Sequence, residues 1–175
     1  MAAAFTSKRY RVEDVDADEF CFQQGCTDGL PVVPPTEDRV TMMLAAARLD
    51  PKQEIAFITN RSVSVTAEKV AINAVMAGCR PEYMAVVVAA VEGIGDPAWS
   101  YHGPGTSTGG AAVLVIVNGP ITRELDINAG DNLFGPGWRA NLAIGRALRL
   151  VMRNVCGSLP GLLDRGTLGH PGKLS

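Results

Sequence analysis

Residues 111–117, Ala111-Ala112-Val113-Leu114-Val115-Ile116-Val117, decide how this chain folds. The run is apolar without interruption, rich in β-branched residues and closed by Asn118-Gly119-Pro120. It therefore reads as a strand buried on both faces, and such a strand has helices on both sides. Outward from it the helical segments follow. Thr36 caps a helix over 36–49 that carries Glu37 and Asp38 in its first turn and stops at Asp50-Pro51. Residues 55–58 and 62–65 read as short strands around Asn60-Arg61, and Thr66 opens a helix ending at Gly78. A nearly all-apolar helix starts at Pro81, and a long one runs from Trp138 to about Asn154. A short helix over 16–24 follows an irregular arm, 1–15, and a glycine-rich tail, 157–175, closes the chain. The fold class is α/β: a small sheet with a buried strand and several packed helices, in a single domain.

Composition bounds the function. With 175 residues the chain has room for one ordinary core. A charged content of 19% and a net charge of -2 give no electrostatic case for nucleic acid or a membrane surface. No apolar run approaches a membrane span and no signal-like segment opens the chain, so a cytoplasmic protein is expected. Four cysteines, Cys21, Cys26, Cys79 and Cys156, lack C-x-x-C spacing. With only two histidines they do not describe a zinc site, and nothing in the sequence requires a cofactor or metal.

The chemistry concentrates just upstream of 111–117, in Ser100-Tyr101-His102-Gly103-Pro104-Gly105-Thr106-Ser107-Thr108-Gly109-Gly110. Gly103, Gly105, Thr106, Ser107 and Thr108 are suited to turning backbone N–H groups toward an oxyanion, and His102 to moving a proton. The plainer alternative is a turn whose hydroxyls bond their own backbone. The loop is neither a P-loop nor a dinucleotide fingerprint, because it lacks the Gly-Lys-Ser/Thr ending and the strand-GxGxxG-helix order. Cys79 lies between Gly78 and Pro81 with Arg80 adjacent, a setting that favours thiolate, although a packing cysteine fits the same position. A second polar loop supplies Asn128, Asp131 and Asn132 and leads into Trp138, Arg139 and Asn141. Asn60 and Arg61 follow a strand end, where binding residues of α/β proteins gather.

On the long helix Arg139, Arg146, Arg149 and Arg153 fall in a stripe roughly 80° wide with no acid in the same helix. Such a stripe meets acidic groups on another chain, holds an anion, or is solvated. Taken together, Cys79 and His102 are the catalytic candidates. Gly103, Gly105, Thr106, Ser107, Thr108, Asn128, Asn132, Trp138, Arg139 and Asn141 are the substrate-binding ones. His170, near the chain end, is a further acid or base beside an interface. The expected ligand is a small anionic organic substrate, and the reaction a lyase, hydrolytic or thiol-redox step. The alternative is a non-catalytic subunit or binding module. A metal-dependent reading would draw on His102, His170 and Asp131.

Five blocks carry a resemblance: residues 27–36 (TDGLPVVPPT), 77–83 (AGCRPEY), 118–120 (NGP), 134–141 (FGPGWRAN) and 168–173 (LGHPGK). As a set they resemble a bacterial family associated with UGSC-type thiol or selenol proteins. Members carry an aromatic residue where this chain has Cys26, so the resemblance implies no inherited catalytic role for that thiol. Members also continue past the His-Pro-Gly-Lys motif. The resemblance thus implies one subunit of a split protein, with a second subunit or a homo-oligomer completing the site.

Overall fold

The computed structural model describes residues 5–12, 16–168 and 173. Its elements follow the sequence punctuation closely. Helix α1 (Ala17–Gln23) is capped by Asp16, and α2 (Glu37–Ala47) by Thr36, whose hydroxyl accepts the Arg39 N–H. Strands β1 (Glu54–Ile58) and β2 (Val63–Thr66) pair antiparallel, Phe57 opposite Ser64 and Ile58 opposite Val63, with a bulge near Ile55 and a 3-10 turn (Thr59–Arg61) between them. Helix α3 (Ala67–Met76) follows, and Pro81 begins a 3-10 turn that leads into α4 (Met84–Gly95). Two one-turn helices, α5 (His102–Gly105) and α6 (Ile121–Glu124), precede the long α7 (Arg139–Asn154).

Helix α3 is the centre. Ala67, Val70, Ala71 and Ala74 are wholly buried, and small residues on this face let α7 approach with Ala147, Leu150, Val151 and Met152. Met84, Val87 and Val91 of α4 close the core over β1. The nearly all-apolar α4 thus contributes to the core, one of the two places its composition allows, a subunit interface being the other. The fold is α/β, with a small two-stranded antiparallel sheet, its β1 strand buried on one face, and packed helices around it. Thr66 differs from expectation in one detail. It sits at the α3 N-cap, yet its hydroxyl makes no cap bond, because the Gln53 and Pro51 carbonyls already take the Ala67 and Glu68 N–H groups.

The main correction concerns residues 111–117. They lie outside the sheet. The chain there is extended, with Val113, Val115 and Val117 packed on the core and Leu114 and Ile116 left 64% and 73% exposed. Uninterrupted apolar sequence suggested two buried faces, whereas this segment buries one. Residues 5–7 of the N-terminal arm dock on the helical body. Phe5 packs on the core, and the buried Glu68 carboxylate accepts the Thr6 and Ser7 N–H groups at 2.8–3.1 Å. No helix among the described residues is long and apolar enough to cross a membrane.

Candidate functional site

The expected composite pocket divides into two regions at different heights of α7. At its N-terminal end lie Cys79, Arg139, Asn128 and Asn141. Cys79 is buried where α3 turns toward α4, and its Sγ donates to the Ala143 carbonyl at 3.2 Å. Burial pushes this thiol up to about 12, and the charge of Arg139 offsets only part of that. The thiolate expected there is thus disfavoured, and Cys79 packs a helix junction. Its sequence neighbour Arg80 instead pairs with Glu82 at the surface.

Arg139 donates through Nε and Nη2 to the Gly78 carbonyl, at 3.2 and 2.9 Å. Asn141 accepts the Asn128 N–H and donates to the Asn128 and Leu133 carbonyls. Asn128 in turn accepts the Gly130 N–H and donates to Asp131. Asn132 sits in the left-handed region at φ 57° beneath Gly135, and Trp138, 36% exposed, forms the N-cap of α7. Arg139 thus holds the end of α3, and the Asn128 and Asn141 side chains bind their own loop.

The arginine stripe of α7 also has partners within the chain. Its guanidiniums hold loops of this chain. Arg146 grips Asp28 bidentately at 2.8 and 2.8 Å and reaches the Pro31 carbonyl. Arg149 holds Asp164 and the Lys173 carbonyl, and Arg153 the Gly25 carbonyl.

The His102 loop packs at the other end of α7. Tyr101 is buried, with its hydroxyl 2.7 Å from Ser158 Oγ and 3.4 Å from the Met152 carbonyl. From Ala143, which Cys79 touches, to Met152 is nine residues, or about 14 Å along the helix. No hydrogen bond among the described residues joins Cys79 to His102. Three of the loop's glycine amides are spent internally. Gly103 N–H donates to Ser100, Gly105 N–H to Tyr101, and Gly109 N–H to Ser107 Oγ. Thr106 donates to the His102 carbonyl, while the Ser107 and Thr108 carbonyls accept from Arg165 and Thr167. Gly105 is required for a different reason. A Cβ there would stand 2.8 Å from the Tyr101 ring. His102 itself is exposed at the head of α5, and His170 lies outside the described residues.

Under this loop the structure assembles groups that lie far apart in sequence. Ser158 Oγ donates to the Gly105 carbonyl at 2.9 Å, and the buried Cys156 thiol abuts the Tyr101 hydroxyl. Burial pushes Cys156 up to about 11, against the Tyr101 hydroxyl and the positive charges of Arg61 and Lys69. Burial also raises the Tyr101 phenol, with Cys156 adding to it. Arg61 enters from the β1–β2 turn. Its Nε and Nη2 are buried and have no hydrogen-bond acceptor among the described residues. These two atoms form the side-on fork of the guanidinium, the edge with which Arg146 binds the Asp28 carboxylate.

Arg61 carried a sequence signal as a polar residue after a strand end. Tyr101, Cys156, Ser158 and Lys69 carried none, because their meeting depends on how α3, α7 and the loop pack. Among the described residues no three His, Cys, Asp or Glu side chains are grouped to hold a metal. Comparison with protein families, with curated proteins and with solved structures finds no match to this chain.

Proposed function

We propose that this chain is an enzyme or enzyme subunit that binds a small organic anion, a carboxylate by preference, on the Arg61 fork beneath the His102 loop. One observation carries the reading: a buried guanidinium edge without an acceptor among the described residues. A buried donor left without an acceptor costs about 1–3 kcal/mol, and native proteins keep few of them. A carboxylate satisfies such a fork with two parallel hydrogen bonds. In this reading Lys69 adds positive potential, and the Tyr101 and Ser158 hydroxyls orient the bound group. His102, exposed at the loop's head, carries protons between the site and solvent.

The test uses oxalate, malonate and inorganic phosphate as probes in a thermal-unfolding series. A carboxylate at a hundred times its dissociation constant adds about 2.7 kcal/mol and raises the wild-type Tm by several degrees. Arg61→Met loses this response, yet in anion-free buffer it is at least as stable as wild type, because it removes two buried N–H donors that have no acceptor. A wild type indifferent to all three probes, or Arg61→Met that still responds, overturns the reading.

A subunit role is favoured by a separate observation, the extended segment 111–117 with Leu114 and Ile116 exposed. A second copy of this chain is its proposed occupant. Residues 109–122 contain no charged side chain, so two copies meet there without repulsion.

A further inference from the structure

Helices α1, α2 and α3 end alike. In each, a residue with positive φ follows the helix (Gly25, Arg48, Gly78), and the next N–H reaches back five residues: Cys26 to Cys21, Leu49 to Leu44 and Cys79 to Ala74. This is the Schellman termination, which brings the side chains of its first and last bonded residues together, ordinarily as an apolar contact. Leu44 and Leu49 occupy those positions in α2. In α1 both positions are cysteine.

The consequence is a matched pair of thiols. The Cys26 N–H and Sγ both donate to the Cys21 carbonyl, at 3.2 and 3.1 Å, and the two thiols interact. Both are half-buried and line one cavity of about 590 Å3 beneath the N-terminal arm, together with Phe5, Tyr10, Phe20 and Met76. Cys26 is held firmly. Asn154 of α7 donates to its carbonyl at 2.7 Å and to Asn73 at 2.8 Å. Helix α1, which carries Cys21, has no fully buried residue and is the more movable partner of the pair.

We propose that Cys21 and Cys26 form a redox-active dithiol that a small organic disulfide entering this cavity converts to an intramolecular disulfide. One thiolate attacks a sulfur of the disulfide R–S–S–R, forming a mixed disulfide and releasing one thiolate R–S⁻. The second cysteine loses its proton and attacks the protein sulfur of that mixed disulfide, releasing the other R–S⁻. In sum, two protein thiols and one disulfide become one protein disulfide and two small thiols, with two electrons passing to the small molecule. Cys79 and Cys156 are buried at the α3–α4 junction and beneath the His102 loop and stand apart from this exchange.

Bis(2-hydroxyethyl) disulfide is the probe. Native protein is treated at pH 8, quenched in acid and mapped by peptide mass. The expected product lacks two hydrogen atoms within the single tryptic peptide 12–39 that holds both cysteines, and excess thiol reverses it. Cys26→Ser and Cys21→Ser, each checked for native circular dichroism, retain at least about tenfold more mixed disulfide at the remaining cysteine than wild type does. Mixed disulfides that persist on the wild type, a cross-link to Cys79 or Cys156, or no reaction at Cys21 and Cys26 overturns the proposal.

Discussion

Arg139 lies close enough to Cys79 to draw its thiol downward, yet burial prevails and leaves it at about 12. A thiol so placed is protonated at every ordinary working pH, and protonated thiols are poor nucleophiles. Iodoacetamide at pH 8 is therefore expected to label Cys79 at least about a hundredfold more slowly in the native protein than in denaturant. Labelling at comparable rates would restore Cys79 as a reactive centre. The sequence made Cys79 attractive through Gly78 and Arg80, and each signal meant something else. Gly78 takes positive φ to end α3, and Arg80 turns outward to Glu82. Sequence adjacency carries no information about depth, which decides the protonation of this thiol. Arg61 shows the converse. A polar residue after a strand was legible as a binding candidate, but the burial of its fork arises only once the loop and α7 have packed over it.

Among the elements, most helices were legible because their ends are written in local chemistry: Thr36 before α2, Pro81 before α4, Gly78 after α3. Residues 111–117 were not, because an unbroken apolar run has no period from which to read which face is covered. Their alternation emerges only in the structure, with valines 113, 115 and 117 inward and Leu114 and Ile116 outward. An extended chain with an apolar outer face is a template for pairing. Two copies related by a twofold axis can lay this segment antiparallel against itself, each burying the other's Leu114 and Ile116. Wild-type protein is accordingly expected to run as a dimer at micromolar concentration in light scattering after size exclusion. Ile116→Lys, which puts a charge into that seam, is expected to run as a monomer with native circular dichroism. A wild-type monomer throughout this range would remove the second copy as the occupant.

At the scale of the molecule, three carboxylates tie distant chain segments to the helical core. Asp28 binds Arg146 and so fixes the 27–35 run on α7, Glu68 binds the arm at Thr6 and Ser7, and Asp164 binds Arg149 and Lys173. Burial works against ionisation at each, but the hydrogen bonds and charges facing them prevail and hold all three below the usual carboxylate range. A carboxyl group with a lowered folded-state pKa contributes stability that is complete above its unfolded value of about 4 and is lost as pH falls through the folded value. The protein is thus expected to hold constant stability between about pH 7 and 5 with respect to these groups, and to lose it below about pH 4. Glu68 isolates the effect, because its oxygens receive two backbone N–H groups and the Thr6 hydroxyl. Glu68→Gln replaces an acceptor with an NH2 group that faces those donors, at a cost of about 1–3 kcal/mol at pH 7. In urea unfolding followed by tryptophan fluorescence at pH 7 and at an acid pH, that cost should shrink at the lower pH, as the wild-type carboxyl takes up its own proton. An equal cost at both pH values would mean that Glu68 acts through packing, and that ionised carboxylates do not hold the arm in place.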